Sequence, residues 1–121
     1  MPLRVGIDLV RAANVAASVA EHGDAYLDRV FTAAEQADCQ GDPLRLAARF
    51  AAKEATAKVL QPGDEDALPW PAIEVVRNAP GPPTLRLHGP AADLAARAGL
   101  TAFTLSFTHE DEYAAAVVVG T

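Results

Sequence analysis

A chain of 121 residues has the length of one domain, here taken as residues 1–121, and can bury about two-thirds of its unfolded surface. Half of the residues are hydrophobic and the net charge is −6, which is typical of globular proteins and argues against nucleic-acid binding, since a phosphate backbone needs a cationic surface. No apolar run reaches the roughly 20 residues of a membrane-spanning helix, and Arg4 and Asp8 interrupt the region where a signal peptide is apolar. We therefore expect a cytoplasmic protein without a membrane partner.

The first third of the chain is predicted to form one strand followed by short helices. Residues 3–9 alternate like a strand that ends near Asp8, and residues 12–21 favour a helix that stops before Gly23. Residues 26–30 fit one further helical turn. Thr32 and Glu35 have the spacing of a capping box, in which each side chain satisfies a free backbone donor, and this predicts a helix over residues 33–39.

Residues 44–60 form the strongest predicted helix. The segment contains no Gly or Pro, is rich in Ala and Leu, and follows Asp42 and Pro43, a cap residue and a favoured first helical residue. At about 3.6 residues per turn, two neighbouring stripes carry its charges. The stripes are Phe50, Glu54 and Lys58 on one side and Arg45, Arg49 and Lys53 beside it.

The second half of the chain reads as strands around one helix. A turn-rich loop over residues 61–71 leads to predicted strands at 73–77 and 84–88, a helix between Gly89 and Gly99, and a final hairpin from strands 101–108 and 113–119. The order predicts an α+β fold, with a mostly antiparallel sheet packed against one long helix.

Asp8 and Glu54 are the candidate metal ligands. Two carboxylates brought together from a strand and a helix repel unless a hard cation lies between them, and Mg²⁺ commonly takes one or two carboxylates plus substrate phosphates. The alternatives are that Asp8 caps the next helix and that Glu54 only pairs with Lys58 four residues later.

The cations allow two interpretations. Lys53 and Lys58 could flank a pyrophosphate or be solvated helix lysines, and the same choice stands for Arg45 and Arg49. His109 either reaches a ligand from a sheet end or is an ordinary turn residue.

Four segments in chain order resemble the holo-acyl-carrier-protein synthases, the short stand-alone phosphopantetheinyl transferases. They are Gly-Ile-Asp at 6–8, Arg-Val-Phe-Thr-Ala-Ala-Glu at 29–35, Arg-Phe-Ala-Ala-Lys-Glu-Ala-Thr-Ala-Lys at 49–58, and Leu-Ser-Phe-Thr-His at 105–109 followed by Tyr-Ala at 113–114. The resemblance covers nearly the whole chain and favours the functional interpretation of Asp8, Glu54 and Lys58.

The resemblance implies transfer of 4′-phosphopantetheine from coenzyme A to a serine of an apo acyl carrier protein, with release of 3′,5′-ADP. It implies that Asp8 and Glu54 hold Mg²⁺, and that Lys58 stabilises the phosphoryl oxygens. Further contacts to coenzyme A would come from Arg49, Lys53, Lys58 and His109. The serine proton would pass to Glu54 or to a metal-bound water. The family is typically trimeric, so we expect a homotrimer with sites at subunit boundaries.

Two segments depart from the family pattern. A Gly-Thr-Gly-like turn usually follows the second lysine, where this chain has three acids at 64–66, and the first helix lacks the usual basic residues. We therefore expect a carrier less acidic than the fatty-acid one, such as a carrier of secondary metabolism. The competing hypothesis is a module of the same fold that binds coenzyme A or metal without turnover.

Overall fold

The fold is taken from a computed structural model that describes residues 2–121. Its strands are β1 (Arg4–Arg11), β2 (Ile73–Val76), β3 (Thr84–Leu87), β4 (Phe103–His109) and β5 (Tyr113–Gly120). Its helices are α1 (Ala12–His22), α2 (Asp24–Val30), α3 (Ala33–Cys39), α4 (Pro43–Leu60) and α5 (Gly89–Arg97), and a 3₁₀ turn at Trp70–Ala72 precedes β2. The predicted elements are all present, with ends that shift by at most two residues.

The strands form two antiparallel sheets. The larger sheet has the order β1-β5-β4, and the smaller is the β2-β3 hairpin. In the larger sheet Asp8 pairs with Ala116, which pairs in turn with Phe107, so these residues form one row across the sheet. The α+β class and the packing against one long helix are confirmed, although the strands divide between two sheets.

Helix α4 begins and ends as its sequence predicts. The Asp42 carboxylate accepts a 2.9 Å hydrogen bond from the Leu44 amide, Pro43 occupies the first turn, and Gln61 ends the helix in the left-handed conformation. Alanine is the commonest residue on its buried side, which includes Ala51, Ala52 and Ala55, each without exposed surface. Small side chains let the sheet approach the helix closely.

The close approach of β1 to α4 depends on Gly6. A Cβ atom at Gly6 would lie 2.0 Å from the Ala55 carbonyl oxygen and 3.2 Å from Val59 Cγ2. Only a residue without a side chain fits against the helix backbone at this point. Because Asp8 is two residues further along the same face of β1, this contact brings it to the level of Glu54, the neighbour of Ala55.

Candidate functional site

Asp8 lies inside β1, not at its end as expected, and points toward α4. Lys58 Nζ lies 3.3 Å from Asp8 Oδ1 and donates a 2.7 Å hydrogen bond to the Ile7 carbonyl oxygen. The cap position of α1 is Arg11, so the alternative in which Asp8 caps that helix is wrong. Lys58 therefore ties α4 to β1 through Asp8.

Glu54 lies beside Asp8, and the two carboxyls interact. The pKa of Glu54 is raised from 4.5 to about 7, first by burial and then by the neighbouring Asp8 carboxyl, while the charge of Lys58 acts in the opposite direction. Like charges in a shared site disfavour double ionisation. The pair is thus electrostatically unfavourable when both carboxyls are ionised.

The carboxylate pair fits a divalent cation. Asp8 Oδ2 is buried, and no hydrogen-bond donor in residues 2–121 reaches it. A hard cation between the two carboxylates removes their repulsion and takes oxygen ligands. Among the described residues no three His, Cys, Asp or Glu side chains cluster around one point. A divalent cation held here would therefore need further ligands from water or from a bound molecule.

A basic pocket lies on the side of the sheet that faces α4. Its residue Arg49 precedes Glu54 on α4 by about one and a half helical turns. It has a volume of about 170 Å³ and is lined by Asp38, Arg45, Ala48, Arg49, Arg77, Phe107 and His109. Four of these seven side chains are basic or histidine and one is acidic. The balance of charge favours an anionic ligand.

Arg49 is the most buried cation of this pocket. Only 7% of its surface is exposed, its guanidinium lies 5.6 Å from the Phe107 ring centre, and Nη1 donates to the Arg45 carbonyl oxygen at 3.2 Å. Its Nε is buried without a hydrogen-bond partner within residues 2–121. A buried guanidinium with a free donor is costly unless a ligand accepts from it.

The expectation that Lys53 contacts a phosphate is wrong. Lys53 has no exposed surface, and its Nζ lies 2.7 Å from Glu35 Oε1 in a fully buried ion pair. The ammonium is enclosed by α3 and the segment before β2, so a ligand at the surface does not reach it. Arg49 and His109, in contrast, both line the basic pocket, where a ligand can reach them.

A groove beside Glu54 was not predicted from the sequence. It has a volume of about 380 Å³ and is lined by Leu9, Val10, Arg11, Asn14, Val15, Ser18, Tyr26, Phe50 and Glu54. The pKa of Tyr26 is raised by burial and then by the charge of Glu54. Tyr26 and the pocket residue Arg77 were missed because their roles depend on how α2 and β2 pack against α4, which no local pattern encodes.

Solved structures share this arrangement of sheet and long helix. The Helicobacter pylori holo-[acyl-carrier-protein] synthase, whose structure is a complex with coenzyme A, superposes with a TM-score of 0.86 at 26% identity, over 98% of this chain and 100% of that one. The fold and the site together define a protein of the holo-acyl-carrier-protein synthase class.

Sequence comparisons give the family. The model of the 4′-phosphopantetheinyl transferase superfamily matches residues 4–118. The Chloroflexus aurantiacus holo-[acyl-carrier-protein] synthase is 44% identical over 129 aligned residues, 94% of each chain. The Frankia casuarinae enzyme of the same name is 45% identical over 115 residues, covering 95% of this chain and 93% of that one. The chain belongs to the 4′-phosphopantetheinyl transferase superfamily, which confirms the resemblance and the enzyme class.

In residues 2–121 no helix combines the length and apolarity needed to cross a bilayer.

Proposed function

We propose that the protein transfers 4′-phosphopantetheine from coenzyme A to a serine of an apo acyl carrier protein in the cytoplasm. The observation that carries the proposal is the buried, unpartnered Asp8 Oδ2 beside Glu54, with Lys58 on the other oxygen of Asp8. A protein that only binds coenzyme A gains nothing from two close carboxylates, since they repel a polyanion.

The reaction forms one bond and breaks one. The serine oxygen of the carrier bonds to the phosphorus that bears pantetheine, and the bond from that phosphorus to the bridging diphosphate oxygen breaks, so that 3′,5′-ADP leaves. When bound by Asp8 and Glu54, Mg²⁺ supplies charge neutralisation to the diphosphate. Lys58, half exposed beside Asp8, binds the phosphoryl oxygens as charge develops on them. Glu54 lines the open groove, where its carboxylate is placed to accept the serine proton.

The phosphates remote from the reacting bond are assigned to the basic pocket. Arg49 and His109 would bind them there, with Arg77 as an additional contact. These cations bind the substrate and the transition state equally, so they lower KM for coenzyme A without changing kcat.

Mass spectrometry of apo carriers incubated with the protein, coenzyme A and Mg²⁺ tests the proposal. We expect an added phosphopantetheine on at least one carrier, no transfer in EDTA, and no transfer by folded Asp8→Ala or Glu54→Ala. Coenzyme A binding by calorimetry without transfer to any carrier would support the binding module instead. Near-normal transfer by either variant would remove that residue from the metal site.

The surface beside the groove has little positive charge for an acidic carrier. The exposed positions of α1 include Ala13, Ala17, Ala20 and Glu21, and α2 begins with exposed Asp24. Arg11, at the start of α1, donates a 2.5 Å hydrogen bond to the Tyr113 hydroxyl, and its guanidinium lies 4.8 Å from that ring centre. The cognate carrier is therefore one whose docking surface is less acidic than that of a fatty-acid carrier, as in secondary metabolism.

Charge reversal on α1 tests the choice of carrier. Glu21→Lys should raise kcat/KM on a strongly acidic carrier by about tenfold at low ionic strength, because opposite charges steer association. The matched reversal Glu65→Lys, in the exposed loop after α4, should have little effect. The hypothesis is refuted if the wild-type protein modifies a strongly acidic fatty-acid carrier faster than any polyketide or peptide carrier.

The outer face of the larger sheet supports self-association, and the family resemblance makes a homotrimer the expected assembly. Leu3, Val5, Ile7 and Leu9 are 73%, 68%, 66% and 63% exposed, and they alternate along one face of β1. A contiguous apolar stripe of this kind marks an interface in a globular protein. Leu9 and His109 also line a cavity of about 400 Å³ on this face, so a neighbouring subunit would border the site.

The solution mass tests the assembly. Light scattering of the wild-type protein should give three times the 12.6 kDa of one chain. Ile7→Asp should dissociate the trimer, because it places a charge in the interface, while the exposed α5 substitution Ala96→Asp should not. A wild-type mass of one chain would count against the assembly and against sites at subunit boundaries.

A further inference from the structure

The buried ion pair between Lys53 and Glu35 is the most enclosed polar cluster beside the site. Neither residue has exposed surface. Lys53 Nζ lies 2.7 Å from Glu35 Oε1 and donates hydrogen bonds to the carbonyl oxygens of Trp70, at 3.1 Å, and Ile73, at 2.5 Å. An ammonium has three N–H donors, and each of them has an acceptor here.

Glu35 connects this cluster to two further segments. Its Oε1 also accepts from the Thr32 amide at 2.9 Å, as part of the capping box of α3, and its Oε2 accepts from the Val75 amide at 2.9 Å. The pair therefore joins the start of α3, the middle of α4 and the segment from Trp70 to β2. Burial lowers the pKa of Lys53, and the charge and hydrogen bond of Glu35 act in the opposite direction.

The same segment reaches the groove through Trp70. The backbone of Trp70 is bonded to Lys53, and its ring packs edge-on against Phe50, with ring centres 5.2 Å apart. Phe50 lies one turn before Glu54 on the stripe that faces the groove, and both residues line it. A rotation of α4 that loosened Lys53 would also move Glu54, since the two are adjacent on one rigid helix.

We propose that Lys53 is a positioning residue, which with Glu35 sets the rotation of α4 so that Glu54 faces Asp8. The inference rests on the proposed function. Replacing a buried ion pair by uncharged residues is often neutral for stability, whereas removing one partner leaves a buried charge and is strongly destabilising. Stability alone therefore does not account for this pair, and its three directed hydrogen bonds specify an orientation that apolar packing would leave less defined.

The double variant Lys53→Met/Glu35→Gln tests this role. It removes both charges, keeps similar volumes, and retains an acceptor oxygen at position 35 for the amide of Val75 or Thr32. We expect it to fold, by circular dichroism and Trp70 fluorescence, and to lower kcat by about tenfold to a hundredfold, since small displacements of reacting groups have effects of that size. KM for coenzyme A should also rise, because Arg49 of the basic pocket lies on the same rigid helix and moves with Glu54.

A readout independent of turnover is the affinity for Mn²⁺, measured by electron paramagnetic resonance in the presence of coenzyme A. We expect the double variant to bind Mn²⁺ about tenfold more weakly than the wild type, because Glu54 is displaced from Asp8. The control is Asp66→Asn/Arg97→Gln, which removes a 2.9 Å ion pair at the surface. This control should change neither kcat nor the affinity for Mn²⁺.

Each outcome decides the question. A folded double variant with wild-type kcat and Mn²⁺ affinity overturns the proposal, and so does a double variant that fails to fold, since the pair would then be purely structural. Absence of transfer by the wild-type protein would instead refute the proposed function, while the comparison of Mn²⁺ affinities would still report on Lys53.

Discussion

Gly6→Ala is a small substitution with a large expected effect. The added methyl group would lie 2.0 Å from the Ala55 carbonyl oxygen and 2.9 Å from its carbonyl carbon, whereas real Cβ atoms essentially never come closer than 3.0 Å to a neighbour. Both obstacles are backbone atoms in the middle of α4, and they have no rotamer to change. Strand β1 must therefore move away from the helix.

Strand β1 must move by about 1 Å, which is the difference between the 2.0 Å contact and the closest distance of 3.0 Å that Cβ atoms tolerate. Overpacking of this kind lowers the free energy of unfolding by about 1–3 kcal/mol. The same movement separates Asp8 from Glu54, and a misplacement of about 1 Å at reacting groups can lower activity about a hundredfold. We expect a protein that still folds, with kcat/KM reduced by about that factor.

Urea unfolding and a steady-state transfer assay measure the two effects. A third measurement is the pKa of Glu54 by ¹³C NMR without metal, which should fall from about 7 toward 4.5 as the Asp8 carboxyl is withdrawn. The matched control is Gly63→Ala, whose methyl group would lie 3.4 Å from the Asp66 carboxylate, an ordinary contact. Wild-type activity and an unchanged Glu54 pKa in Gly6→Ala would refute the reasoning.

Three further predictions concern the charged groups. In EDTA, the elevated pKa of Glu54 contributes stability that is fully present below pH 4.5 and is lost as the pH rises through about 7; Glu54→Gln should therefore match the wild type in thermal unfolding at low pH and be more stable at pH 8. Asp8→Asn should lower the pKa of Glu54 toward 4.5, measured by ¹³C NMR, because it removes the neighbouring negative charge. Arg49→Leu and His109→Ala should each raise KM for coenzyme A by about tenfold with kcat within about twofold, and Arg97→Leu, outside the basic pocket, should change neither constant.

Local chemistry explains which parts of the fold were predictable. The cap of α4 at Asp42 and the capping box at Thr32 and Glu35 depend on residues within four positions of one another, and both are present as predicted. The alternation in β1 likewise depends only on the segment itself. The division of the strands into two sheets was not predictable in this way, because pairing between distant strands depends on how the whole chain packs.

The site was predictable to a different extent. The structure brings the side chains of Asp8, Glu54 and Lys58 together from β1 and α4. The interaction of Lys58 with Asp8, across 50 residues of chain, replaces the helical pairing with Glu54 that spacing alone allowed. The groove wall at Tyr26 and the pocket cation Arg77 depend on tertiary packing, for which the sequence contains no local signal.

Helix α4 shows why Lys53 does not reach a ligand, although the family resemblance implied a contact to coenzyme A. Arg45, Arg49 and Lys53 follow one another at intervals of four residues and therefore share a stripe. That stripe runs from the surface into the interior: Arg45 is exposed, Arg49 keeps 7% of its surface, and Lys53 keeps none because β2 and Glu35 cover it. The outer cations can thus meet a substrate anion, whereas the innermost meets an anion of the protein itself. The depth of each position, set by the neighbouring elements, determines whether the same positive charge binds a ligand or orients the helix that carries Glu54.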